Sequence, residues 1–289
     1  MKTKLSNIIA GCMSWGEWGK QLSTDAMIEL MEYCVEHGIT SFDHADIYGD
    51  YTTEAAFGKA FTKSGIARKD VQIISKCGIQ YVGKSRDNRV KHYNYSKEYI
   101  IWSVEQSLQK LNTDYLDVLL LHRPSPLMKA DEIKEAVDKL QKDGKIIDFG
   151  VSNFTASQMD LIQTEIPITS NQIEFSLTQT TPMFDGTLDY FTTNQIQPMC
   201  WSPLGSAFRE ETPQTNRIIE ALHDLSKKYN ATPNQLLLAW IFMHPANVIP
   251  VVGTTNKTRL KNAVIADKIN LEIEDWFYLL EKSRGVKTA

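Results

Sequence analysis

The sequence has few cysteines and no long apolar run. Its four cysteines show no CxxC or Cys/His-finger spacing, which argues against a disulfide framework and against structural zinc. The apolar run at the N-terminus is broken by polar residues and is too short for a signal peptide's apolar region, and no segment approaches the length of a membrane span. A formal net charge of -4 provides no positive field for a phosphate backbone. We therefore expect a cytoplasmic monomer that acts on a small molecule, without nucleic acid or membrane partners.

No proline-rich, serine-rich or low-complexity linker divides the chain. Its 42% hydrophobic and 23% charged residues are typical of an ordinary globular protein. We expect one domain over residues 1–289.

Short apolar runs alternate with segments of helical period along the whole chain, the pattern of parallel βα units. The eight predicted strands are Asn7 to Trp15, Thr40 to Tyr48, Val71 to Cys77, Tyr115 to His122, Ile146 to Ser152, Ile168 to Phe175, Gln197 to Ser202 and Val248 to Val252. Two helical stretches, 216–229 and 233–243, lie between strands seven and eight, and another covers 273–282. The pattern predicts a TIM (β/α)8 barrel with extra helices at these places.

The alternative fold is an open, doubly wound parallel sheet. Such a sheet normally has a Gly-x-Gly-x-x-Gly turn after its first strand. Here residues 11–19 read Gly-Cys-Met-Ser-Trp-Gly-Glu-Trp-Gly, which fits neither that fingerprint nor a Walker loop. The closed barrel is therefore favoured.

Polar residues end several of the predicted strands, where the chemistry of a barrel is located. Asp43 and Tyr48 follow the second strand, Lys76 the third and His122 the fourth. Because Asp43 and Lys76 would each be costly to bury alone, we expect an ion pair between them. An ammonium beside Tyr48 favours the phenolate, so we expect a lowered tyrosine pKa and a role as general acid. His122 would orient a carbonyl oxygen.

The competing chemistry for residues 43–46, Asp-His-Ala-Asp, is metal binding. The other histidines form no His-x-His or His-Glu-x-x-His pair, so we expect no metal. No Gly-x-Ser-x-Gly elbow supports covalent catalysis, and Cys77 is expected to pack outward from the barrel.

These four residues resemble the Asp, Tyr, Lys, His tetrad of the aldo-keto reductases, and the likeness runs essentially end to end. Further family-like segments are 150–154, 171–174, 200–205 and 249–254, and segments 76–79 and 121–128 are most similar to the bacterial YdhF-like oxidoreductases. The resemblance implies that Tyr48 is the proton donor, Lys76 lowers its pKa, Asp43 holds Lys76, and His122 positions the substrate carbonyl.

The resemblance also implies a nicotinamide cofactor, NADPH, with NADH as the alternative. Ser152, Asn153 and Gln172 would bind its carboxamide, and Trp201 would stack on the ring. The pyrophosphate would lie along Ser202, Leu204 and Gly205, and the 2′-phosphate near Gly253, Thr254 and Arg259. Many members have a lysine where this chain has Gly253, and Lys257 or Arg209 are the candidates to replace it.

The substrate pocket is expected to be lined by Trp15, with Trp18 as a second candidate. The segment 81–95 is long for a βα loop and carries Lys84, Arg86, Arg89 and Lys91, which suggests an anionic or sugar-like ligand. The function expected is reduction of an aldehyde, ketone or sugar carbonyl to the alcohol. The alternatives are a dehydrogenase working in the oxidative direction, a cofactor-binding regulatory subunit and a metal-dependent barrel hydrolase.

Overall fold

A computed structural model describes residues 3–288 of the chain. Eight parallel strands close into a barrel, in the order β1-β10-β9-β8-β7-β6-β3-β2. The barrel strands are β1 (Ile9–Gly11), β2 (Ser41–Asp43), β3 (Gln72–Cys77), β6 (Leu116–Leu121), β7 (Ile146–Ser152), β8 (Ser170–Glu174), β9 (Gln197–Trp201) and β10 (Ile249–Val252). The predicted eight-stranded barrel is confirmed.

Helices surround the barrel. They are α1 (Thr24–Glu36), α2 (Tyr48–Tyr51), α3 (Thr53–Ser64), α4 (Lys97–Leu111), α5 (Ala130–Lys142), α6 (Ala156–Gln163), α7 (Thr187–Thr193), α8 (Pro213–Tyr229), α9 (Pro233–Phe242), α10 (Lys257–Ile265) and α11 (Ile273–Arg284). The extra helices predicted between the last two barrel strands are α8 and α9, and the predicted C-terminal helix is α11. Thr212 caps α8, and Pro213 fills its first position, where no backbone N–H is needed.

The second strand is much shorter than predicted. It ends at Asp43, and α2 begins at Tyr48, with Gly49 at φ 61° and Asp50 at φ 52°. These left-handed conformations turn the chain away from the sheet, which apolar periodicity does not reveal.

The loop after β3 contains a small hairpin that the sequence pattern did not indicate. Strand β4 (Ile79–Gln80) pairs antiparallel with β5 (His92–Tyr93). Residues 79–93 therefore form a hairpin with its own hydrogen bonds, here called the flap.

Alternation of side chains along the strands positions the site. Ile74, Val118 and Met199 belong to the cluster that fills the barrel interior. Ile73 and Cys77 instead belong to the layer between strands and helices, so Cys77 packs outward as predicted. Two residues beyond Ile74 comes Lys76, which therefore points into the barrel at its C-terminal end.

Candidate active site

Lys76 is the centre of the predicted tetrad. Its side chain is 1% exposed, and its Nζ lies 2.7 Å from both Oδ1 and Oδ2 of Asp43, confirming the predicted ion pair. Nζ also donates to the carbonyl oxygen of His44 at 2.8 Å. The burial of both groups makes this pair a fixed part of the barrel interior, because separating it would leave an uncompensated charge.

Tyr48 lies directly against this ion pair. Lys76 Nζ donates to Tyr48 Oη at 3.1 Å. Because the tyrosine oxygen accepts this hydrogen bond, its own hydrogen is free to be donated to another acceptor. The His122 ring lies edge-on to the Tyr48 ring, with 6.0 Å between centroids.

The pKa of Tyr48 differs in direction from the prediction. Burial is the largest influence and raises the pKa above its ordinary value, and the Lys76 ammonium lowers it by less. The ammonium thus acts as expected, but the expected net lowering is wrong for this structure. Burial is the largest single influence on Lys76 and lowers its pKa, but the charges and hydrogen bonds of Asp43 and Tyr48 together outweigh it, so the pKa is raised and the lysine stays charged. Tyr48 therefore holds its proton at neutral pH, as a proton donor must.

His122 is neutral at neutral pH. Burial lowers its pKa well below the ordinary value, and the positive charges of Lys76, Arg123 and Lys91 add to this. Its Nδ1 is buried without a hydrogen-bond partner among residues 3–288. A neutral imidazole has one N–H donor, which suits it to hold a carbonyl oxygen.

A second network joins the tetrad to the residues predicted to bind a cofactor. Gln172 Nε2 donates to Asp43 Oδ1 at 2.9 Å. Ser152 Oγ donates to the backbone oxygen of Gln172 at 3.0 Å and accepts from Asn153 Nδ2 at 2.7 Å. Trp201 Nε1 in turn donates to Asn153 Oδ1 at 3.0 Å. The structure therefore brings these four predicted residues together beside the tetrad.

A tight turn follows Trp201. Ser202 has φ 51° and Gly205 has φ 56°, and the Gly205 N–H donates to the Ser202 carbonyl at 2.7 Å. A Cβ on Gly205 would lie 1.9 Å from Thr178 Oγ1, so only glycine fits. Leu204 packs against the core below the turn.

The remaining predicted cofactor residues lie at the start of α10. Gly253 and Arg259 are exposed and Thr254 is partly buried, and the Asn256 side chain caps the helix by accepting from the Arg259 N–H at 3.0 Å. Lys257 is bound to Glu29 of α1, and Arg209 donates to the Gly205 carbonyl at 2.7 Å. Arg259 is therefore the less engaged cation at this helix N-terminus, where an anion is favoured.

The pocket position predicted for Trp15 is wrong. Its side chain is 1% exposed and packs in the core against Phe42 and Phe57. Trp18 is 37% exposed instead, with its ring 6.3 Å from that of Tyr48 and 5.1 Å from that of Tyr81. Trp18 and Tyr81 thus form the aromatic wall beside the tetrad.

The cations of the flap differ in their availability. Arg86 stacks 3.8 Å above the Tyr51 ring and donates to Gln80 at 3.0 Å and to Tyr99 at 2.7 Å, so it holds the flap together. The backbone of Lys84 is tied to Asp50, at 2.7 Å. Arg86 is therefore a structural residue and not a free ligand group.

One residue beside the site was missed from the sequence. The Arg123 guanidinium lies 5.5 Å from the centre of the Trp201 ring, and its charge acts on His122. The sequence could have indicated this residue, because Arg123 directly follows His122 at the polar end of the same predicted strand.

No group of three or more His, Cys, Asp or Glu side chains in residues 3–288 is arranged to hold a metal ion. Asp46 is buried and accepts from Ser103 at 3.1 Å, and both ring nitrogens of His44 are buried without a partner in this part of the chain. In the same described part, no helix is both long and apolar enough to cross a membrane.

Comparison with known proteins agrees with this geometry. The sequence model of the Aldo/keto reductase family matches residues 7–284. The oxidoreductase YcsN of Bacillus subtilis is 39% identical (98% of this chain and 95% of the relative), and YdhF of Escherichia coli is 36% identical with the same coverage. A 6-dehydroglucose reductase of Agrobacterium fabrum is 36% identical over 100% of this chain and 97% of its own.

Solved structures share the architecture. An aldo/keto reductase of Klebsiella pneumoniae, in complex with NADP and acetate, superposes with a TM-score of 0.81 at 25% identity and covers 99% of this chain and 93% of its own. The barrel, the match along almost the whole sequence and the YdhF-like relatives agree with one another. The chain is an oxidoreductase of carbonyl and alcohol groups and belongs to the aldo/keto reductase family.

Proposed function

We propose that this protein is an NADPH-dependent reductase that converts an aldehyde, ketone or sugar carbonyl into the alcohol, with Tyr48 as the proton donor. The observation that carries the proposal is the contact from Lys76 Nζ to Tyr48 Oη at 3.1 Å, made while the same ammonium is bound to both oxygens of Asp43. This arrangement leaves a protonated tyrosine with its hydrogen unused beside a neutral histidine.

The residues present fit a nicotinamide dinucleotide. The half-buried indole of Trp201 offers a flat surface for a nicotinamide ring, and Ser152, Asn153 and Gln172 gather amide and hydroxyl groups around it for the carboxamide. The turn of Ser202, Leu204 and Gly205 would follow the pyrophosphate. Gly253, Thr254 and Arg259, at the N-terminus of α10, would meet the 2′-phosphate.

In the reaction, the chemistry that the bound cofactor supplies is a hydride to the carbonyl carbon. His122 holds the carbonyl oxygen and so aligns the carbon. Tyr48 gives its proton to the oxygen as negative charge develops there, and the Lys76 ammonium stabilises the phenolate that remains. Asp43 keeps Lys76 charged and in place. The same residues serve the oxidative direction, in which Tyr48 accepts the alcohol's proton.

Two relatives suggest the substrate class. One is named a 6-dehydroglucose reductase, at 36% identity, and another a methylglyoxal reductase, at 30%. The aromatic wall of Trp18 and Tyr81 also suits the faces of a sugar or a small dicarbonyl. We further propose that the protein is a monomer of one domain in the reducing cytoplasm. The location is supported by its four cysteines, which are all free and buried.

A titration with NADPH and with NADH, followed by tryptophan quenching, tests the cofactor part. We expect NADPH to bind more tightly, and Arg259→Ala to weaken NADPH binding about tenfold or more while leaving NADH within twofold, the size of a lost charge-assisted contact. The matched control is Arg89→Ala on the exposed flap. Equal losses for both cofactors would contradict the assignment of Arg259, and binding of neither would contradict the proposed function.

A further inference from the structure

Arg123 and Lys91 are two cations whose charges act on His122 and which have no part in the proposed mechanism. Burial, then Lys76, Arg123 and Lys91 lower the pKa of His122. Lys76 is neutralised by Asp43. For Arg123 and Lys91, no carboxylate within residues 3–288 comes within ion-pair distance, so the rim of the site carries net positive charge.

Arg123 is held in a defined position. Tyr95 Oη donates to its carbonyl oxygen at 2.5 Å and accepts from its N–H at 3.1 Å, which fixes the backbone immediately after the histidine. The guanidinium rests 5.5 Å from the centre of the Trp201 ring. A guanidinium that lies over an indole ring keeps its N–H donors, which lie in its own plane, available to a carboxylate.

Lys91 approaches from the flap. It is exposed and directly precedes β5, whose residues His92 and Tyr93 pair with Gln80 and Ile79. The flap is anchored to the body by Arg86 and by Asp50, which accepts from the Lys84 and Ser85 N–H groups at 2.7 and 3.1 Å. The second cation is therefore carried on a folded element and not on a loose loop.

We infer that Arg123, assisted by Lys91, binds the carboxylate of the substrate, so that the preferred substrates are aldehydes or ketones carrying a carboxylate a short chain away from the carbonyl. The inference rests on the proposed reductase function and narrows its substrate class. The carbonyl meets Tyr48 and His122, and the anionic end is directed to the neighbouring guanidinium. Arg123 is thus a positioning residue that acts on substrate alignment and affinity.

The test uses a matched pair of substrates, 4-oxobutanoate and butanal, which share an aldehyde and a chain length and differ in the carboxylate. With NADPH, wild type should show a kcat/KM for 4-oxobutanoate about tenfold or more above that for butanal. Arg123→Met should lower kcat/KM for 4-oxobutanoate about 10- to 100-fold, mainly through KM, and leave butanal within threefold, as expected for one charge-assisted hydrogen bond. Arg123→Lys should recover part of the loss.

The control is Arg89→Met, which also replaces an arginine by methionine, but at an exposed position on the flap that is not among the charges acting on His122. It should leave both substrates unchanged. The dissociation constant of NADPH, measured by the fluorescence of NADPH, should stay within twofold of the wild-type value in Arg123→Met, because Arg123 is inferred to bind the substrate and not the cofactor.

The outcomes separate this inference from the proposed function. If wild type reduces both aldehydes equally well, or if Arg123→Met lowers both equally while weakening NADPH binding, the inference is overturned and the reductase function stands. If wild type binds NADPH but reduces no aldehyde or ketone, the proposed function fails instead.

Discussion

Gln172 Nε2 donates a hydrogen bond of 2.9 Å to Asp43 Oδ1, the same carboxylate oxygen that accepts a hydrogen bond from Lys76 Nζ at 2.7 Å. Asp43 is thereby shared by the proposed catalytic tetrad and the network that runs through Ser152 and Asn153 to Trp201. A change in the proposed nicotinamide contacts would therefore also affect Asp43, the group that fixes Lys76.

Gln172→Leu should lower turnover as well as cofactor affinity. The substitution keeps the side-chain volume and removes one donor from a buried carboxylate, a loss of about 1.5 to 3 kcal/mol for hydrogen bonds to charged groups. We expect kcat to fall about tenfold or more and the NADPH dissociation constant to rise. Gln141→Leu, at an exposed position on α5, is the control. A change in affinity with kcat unaltered would show that the Asp43 contact is unimportant.

Lys76→Met should destabilise the fold. The variant leaves Asp43, with a side chain 3% exposed, without its cation, and such a loss costs about 3 to 5 kcal/mol. The double variant with Asp43→Asn should regain most of that stability, because no buried charge remains. Urea unfolding of the wild type, the two single variants and the double variant gives the coupling free energy between Lys76 and Asp43. Additive losses in the double variant would contradict the account.

Asp46→Asn should change how stability depends on pH. Burial raises the Asp46 pKa to about 7, and Glu54 adds to the rise, with Arg86 and Ser103 opposing it. Between pH 3.8, the ordinary pKa of an aspartate, and about pH 7, Asp46 keeps a proton in the folded state that it has lost in the unfolded chain. The stability that this group contributes to the wild type is complete below about pH 3.8, declines by at most about 1.4 kcal/mol per pH unit as pH rises toward 7, and is lost above that.

The asparagine variant lacks that decline. Its stability relative to wild type should therefore increase from pH 4 to pH 7 and then level off, as measured by urea unfolding at a series of pH values. The control is Asp87→Asn, which makes the same substitution at an exposed position on the flap. A constant difference between Asp46→Asn and wild type would mean that Asp46 is charged in the folded protein.

The sequence predicted the barrel and the tetrad because both depend on alternation within strands. Ile74 and Lys76, or Val118, Leu120 and His122, are separated by even steps, so an apolar interior and a polar end follow from the same pattern. The ion pair followed from the cost of burying either charge alone.

What the sequence did not predict depends on turns and on burial. Which of Trp15 and Trp18 is exposed beside the tetrad depends on the path of the chain after β1, because both residues lie outside any strand. Arg86 looked like a ligand group because its partners Tyr51 and Tyr99 come from other elements. The direction of the shift in the Tyr48 pKa depends on whether burial or the Lys76 ammonium has the larger effect, and the spacing of residues along the chain does not give the size of either effect.

The most direct test of the account is Tyr48→Phe, measured by NADPH binding and by single-turnover reduction of an aldehyde. The change removes the hydroxyl and leaves the ring beside His122. We predict NADPH affinity within about twofold of wild type and a rate lower by about 100- to 10,000-fold, the contribution of general acid catalysis. A variant that binds NADPH and reduces the aldehyde at the wild-type rate would contradict the assignment of Tyr48 as the proton donor.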